Sequence, residues 1–164
     1  MGSLLPCSWV EKPMTNTAQR KIGTPNPTSH AARLELVVPF TNPELTRTAI
    51  RAANRLGAGL DSSIRLIKVQ IVPWPMDLHQ SPVPVDFLEQ QLSSFQSEIP
   101  TRPEIVFSRE LESGLTGALH ENSLILLATK NRPWPTRTRR LAAHLQLAGY
   151  RVLLVSTEKG KHHA

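Results

Sequence analysis

The chain has 164 residues, 40% hydrophobic and 20% charged, which suits one ordinary domain with a core of its own. No apolar run approaches the roughly 20 residues that span a bilayer as a helix, and the single cysteine, Cys7, rules out an internal disulfide, so the expectation is a cytoplasmic domain with no membrane partner. The net charge of +6 is unevenly spread: residues 34–121 sum to −4, whereas residues 122–157 carry six bases and no acid, a pattern that suits an anionic partner at one edge of the domain.

Residues 1–32 show no sustained periodicity and are rich in Pro, Gly, Ser, Thr and Asn, so they read as a disordered or loosely attached leader. Its start lacks the basic segment and apolar length of a secretion signal, and Met14 would serve as an alternative start. "LELVVPF" (34–40) reads as a first strand. A helix follows: Thr41 or Asn42 can cap it, Pro43 suits its first turn, and Leu45, Ala49, Ala52, Ala53 and Leu56 form an apolar stripe before Gly57 or Gly59 stops it. The second strand is "SIRLIKVQIV" (63–72), and the next helix carries Phe87, Leu88, Leu92 and Phe95 toward a core. "EIVFSREL" (104–111) predicts a third strand, "SGLTGALHEN" (113–122) a short helix, and "SLILLAT" (123–129) a fourth strand. The last helix covers residues 138–149, the last strand is "RVLLVST" (151–157), and residues 158–164 form a polar tail.

Strands that alternate with helices make a parallel sheet with helices on both faces, because each crossover must be right-handed. The fold class is therefore α/β, a Rossmann-like doubly wound sheet of five strands over residues 33–157. In such a sheet ligands bind beyond the carboxyl ends of the strands. The stretch "LLATKNRPWPTRTRR" (126–140) lies there, a strand running into a cationic loop and a helix.

"LVVPFTNPELTRTAI" at the start and "LILLATKNR…RRLAAHLQLAGYRVLLV" at the end resemble the universal stress protein family over about residues 33–157. The resemblance implies strand order 3-2-1-4-5, with the crevice between the first and fourth strands. In the family's ATP-binding members an Asp follows the first strand, and Thr41 stands at that position here. Their phosphate-loop glycines fall on Ala128 and Asn131, and their closing Ser/Thr falls near Thr136 or Thr138. Arg132 matches a basic position of that loop. Without the Asp, and without glycines that let backbone amides approach phosphate, the resemblance implies a divergent, non-catalytic member. ATP and AMP stay open as ligands of a modified site.

The candidate ligand-binding residues are accordingly Pro39, Thr41, Asn42, Trp74, Ala128, Thr129, Lys130, Arg132, Trp134, Thr136, Arg137 and Thr138. Trp74 and Trp134 each sit in a Pro-Trp-Pro tripeptide directly after a strand, and either stack on a planar ligand or plug the top of the sheet. Family members often pair through the last strand, so Arg151, Val152, Leu153, Leu154 and Val155 are the candidate homodimer edge. No nucleophile elbow, HExxH, paired-acid spacing, Walker loop or GxGxxG occurs, so neither a catalytic residue nor a metal ligand is assigned. Non-specific nucleic-acid binding through Arg137, Arg139 and Arg140 ranks last, since no RNA- or DNA-reading motif accompanies these bases.

Overall fold

The computed structural model describes residues 34–95, 97–130 and 136–157. The expected leader and tail, and loop positions 131–135, lie outside the described residues. The elements run β1 (Leu34–Pro39), α1 (Pro43–Gly57), β2 (Ser62–Ile71), α2 (Val85–Ser93), β3 (Thr101–Ser108), α3 (Leu111–Ala118), β4 (Leu124–Lys130), α4 (Arg137–Leu147) and β5 (Arg151–Thr157). All strand pairs are parallel, and the sheet order is β3-β2-β1-β4-β5, a doubly wound α/β fold. Among the described residues no helix is long and apolar enough to cross a membrane.

Side chains alternate along a strand, so each central strand feeds two cores. Leu36, Val38, Ile64, Leu66, Leu126 and Ala128 pack on one face with Leu45, Ala49 and Ala53 of α1 and Leu88 and Leu92 of α2. Val37, Ile67, Ile125 and Leu127 point the other way, against Leu115 and Ala118 of α3 and Leu141, Ala142 and Leu145 of α4. Burying each such Leu or Ile stabilises the fold by about 1.5–3 kcal/mol.

Several sequence expectations shift in detail. Leu56 is 40% exposed and Phe87 57% exposed, so neither belongs to the core. In α1 the buried stripe turns through Thr46, Ile50 and Ala53 to Gly57. Gly57 seats the helix end on Ser62, whose hydroxyl donates to its carbonyl at 3.1 Å, and Leu56 is left facing outward. In α2 the inward line is Leu88, Leu92 and, past the helix end, Phe95, with Phe87 a quarter-turn off it. β3 starts three residues earlier than expected and includes Pro103. That is tolerated because β3 is an edge strand whose only neighbour is β2. α3 ends at Ala118, so His120 lies beyond the helix rather than in its last turn.

At the amino end of the sheet the charges are neutralised. Arg65 is 4% exposed, an unusual place for a guanidinium unless it is paired. It donates to Glu104 at 2.8 and 3.0 Å, to the Ala118 carbonyl at 2.6 Å and to Glu35 at 3.3 Å. His120 Nδ1 lies 3.1 Å from Glu35 and 3.3 Å from Arg65. This cluster ties β1, β2 and β3 to the end of α3, and its one guanidinium is matched by two carboxylates.

Candidate functional site

The carboxyl end of the sheet is arranged differently. β1 runs out at Pro39, and the chain turns through Phe40 and Thr41 into α1. The turn is set locally: Asn42 is the N-cap, its Oδ1 accepting from the Leu45 N–H at 2.9 Å. α4 begins the same way, with Thr136 Oγ1 accepting from the Arg139 N–H at 3.3 Å while the Thr136 carbonyl accepts from Arg140 at 3.1 Å. The N–H groups of Arg137 and Thr138, the first residues of the helix, have no intrahelical acceptor. Helix N-termini carry partial positive charge, so this end of the sheet favours anions.

Between these turns lies a cavity of about 330 Å³, lined by Phe40, Thr41, Lys68, Val69, Leu111, Arg137, Thr138 and Leu141. It draws on β1, β2, α3 and α4, and so sits where a doubly wound sheet holds its ligand. Apolar walls from Phe40, Val69, Leu111 and Leu141 face two cations. Lys68 Nζ lies 4.4 Å from the centre of the Phe40 ring and donates to Gln91 Oε1. Desolvation by burial holds its pKa below the ordinary 10.5. Neither Lys68 nor Arg137 has a carboxylate partner among the described residues. Among those residues, no group of three His, Cys, Asp or Glu side chains could hold a metal.

The residues expected from sequence divide into three sets. Thr41, Arg137 and Thr138 line the cavity. Pro39 and Ala128 are buried strand residues, Asn42 is engaged as a cap, and Thr129 and Thr136 share a hydroxyl hydrogen bond of 3.0 Å that closes the β4–α4 turn. Lys130 is withdrawn from the cavity by an ion pair with Glu44 of α1, at 2.7 Å. Arg132 and Trp134 lie outside the described residues.

Trp74 stands apart from the cavity. It is 80% exposed, so it does not plug the sheet, and it does not line the cavity. The Arg109 guanidinium lies 4.0 Å from its ring centre and donates to the Val72, Pro73 and Met76 carbonyls at 2.6–2.9 Å, which fixes the loop after β2. His79, also in that loop, is exposed, and its backbone N–H goes to Asp77.

Lys68 was not singled out by sequence reading. It sits within the strand SIRLIKVQIV (63–72), and a lysine there reads as a solvated strand residue. The available signal was its position near the carboxyl end of β2, beside β1 in the sheet order. Among known proteins, no family model matches the chain, and a search of curated proteins finds no relative.

Proposed function

We propose that the chain is a universal-stress-protein-like module, non-catalytic, which binds a small anionic ligand in the crevice at the carboxyl ends of the strands. One observation carries this reading. Lys68 and Arg137 line a single cavity of about 330 Å³ with no carboxylate among the described residues to neutralise them, whereas the buried Arg65 at the opposite end of the sheet is neutralised by Glu35 and Glu104. Lys68 is held partly out of water, which is costly for a cation, and a bound anion relieves that cost, while the exposed Arg137 adds a second attracting charge. The apolar walls suit a ligand with a flat or aliphatic body, such as a nucleoside monophosphate.

Calorimetric titration of ATP, AMP and inorganic phosphate tests this, at low and physiological salt, on protein freed of carried-over nucleotide. Micromolar binding that survives physiological salt supports the crevice. Binding that vanishes with added salt would reduce it to diffuse surface charge.

A second reading is pairing through β5. This strand is an edge of the sheet, and Leu153 and Leu154, on its two opposite faces, are 42% and 41% exposed. A homodimer that continues the sheet would cover both. Leu153→Glu puts a charge on that surface without opening the core, so sedimentation should show a dimer for the native chain and a monomer for the variant. A native chain that sediments as a monomer at high concentration removes this reading.

A further inference from the structure

A second concavity lies on the opposite flank of β1, between α1 and the end of α2. It has a volume of about 290 Å³ and is lined by Arg47, Ile50, Arg51, Asn54, Ser94 and Phe95. Arg47 and Arg51 are one helical turn apart on α1, so their side chains emerge on the same face. Like charges at that spacing disfavour a helix, and the sequence nonetheless places Arg there twice.

Arg47 lies over the Phe95 ring, 5.6 Å from its centre. Arg51 has no ion-pair partner among the described residues. Asn54 Oδ1 accepts from Ser97 Oγ at 2.6 Å, which leaves the amide NH₂ of Asn54 as a further donor. Ser94 caps the C-terminal end of α2, and that end supplies about half an elementary negative charge against two full positive ones. The groove is thus a set of donors with no acid among its lining residues, floored by Ile50 and Phe95.

We propose that this groove is a second anion site, distinct from the crevice, and that it takes a phosphate monoester. Two guanidinium groups match a dianion in charge, and each presents a planar fork that fits two phosphate oxygens. A carboxylate would leave one of the two cations uncompensated. The organic part of the ester rests against Phe95 and Ile50. The ester belongs either to a free small metabolite or to a phosphorylated side chain of a protein, and both present the same head group to the arginines.

The test uses the full chain and two probes, O-phospho-L-serine and a blocked pentapeptide with a central phosphoserine, titrated by calorimetry. Arg51→Ala should weaken binding about tenfold or more, as expected when hydrogen bonds to a charged group are lost. Arg51→Lys should restore only part of it, because the point charge returns without the fork. Because the crevice also attracts phosphate, the Arg51 variants are compared in a Lys68→Met, Arg137→Ala background, in which this site should persist, so it stands or falls separately from the crevice. Tighter binding of the peptide than of the free ester assigns the site to a protein ligand, and equal or weaker binding assigns it to a small molecule. The proposal is overturned if neither probe binds saturably at millimolar concentration. Loss of all binding in the Lys68→Met, Arg137→Ala background, or no weakening by Arg51→Ala, overturns it as well.

Discussion

Lys68→Met provides the sharpest test of the crevice, because the sequence points to Lys130 whereas the folded structure puts Lys68 at the cavity. Lys68 is half-buried and lines the cavity, and its partners among the described residues are an amide oxygen and the Phe40 ring. Lys130 is matched by Glu44 at 2.7 Å, with both side chains well exposed. A unit charge about 4 Å from an anion is worth about 1 kcal/mol in bulk water and about 4 kcal/mol at the effective dielectric of a protein surface. A hydrogen bond to a charged group is worth about 1.5–3 kcal/mol net, which lies inside that interval. Lys68→Met should therefore cost a bound phosphate or AMP about tenfold to a hundredfold in affinity, at about 1.4 kcal/mol per factor of ten. Arg137→Ala should fall in the same range. Lys130→Ala breaks an exposed pair worth about 0–1 kcal/mol and should change affinity by less than about fivefold. Calorimetry on the three variants, with circular dichroism to verify folding, decides the matter. If Lys130→Ala abolishes binding while Lys68→Met leaves it intact, the ligand sits on the β4–α4 loop and the cavity assignment is wrong.

Anion binding should weaken as pH rises through the lowered pKa of Lys68, before ordinary lysines near 10.5 lose their protons, and an NMR titration of its ammonium group would follow this. Because that folded-state pKa lies below the unfolded value, the native state holds fewer protons between the two; the Lys68 contribution to stability therefore rises with pH across that window. Lys68→Met should flatten this rise in urea melts collected along a pH series. Thr136→Ala removes the cap of α4 and the bond to Thr129, and should cost about 1–2 kcal/mol in urea unfolding; an unchanged midpoint would mean that the cap contributes nothing. Gly114→Ala would place a Cβ 2.7 Å from Val69 Cγ1 and 2.8 Å from Ser108 Cβ. Overpacking of about 1–3 kcal/mol should then outweigh the gain of about 1 kcal/mol in helix propensity, and a stabilised variant would show that α3 moves freely off the sheet.

Much of this protein is written locally. The apolar runs of β1, β2 and β4, the caps at Asn42 and Thr136, and the positive-φ Gly59 just past α1 are short-range chemistry, since each needs only a few neighbouring residues to act. They determine strands alternating with helices, and chirality then confines that order to a parallel, doubly covered sheet. Leu56 and Phe87 show the limit of periodicity: adjacent apolar residues on a helix compete for one buried stripe, and the tertiary contacts of Gly57 with Ser62 and of Leu88 with the sheet select the winner.

The site was legible only as a neighbourhood. Positive charge around the β4–α4 turn is readable from the sequence alone. Which cations stay free is decided by partners far away in the chain: Glu44 for Lys130, Glu104 for Arg65, and the loop carbonyls and Trp74 ring for Arg109. Lys68 and Arg137 come to share a cavity because β2 and the start of α4 both border the carboxyl end of β1. Charge compensation acts through space over a few ångströms, so no local pattern records it, and only the folded arrangement leaves those two cations lining one cavity with no acid among its lining residues.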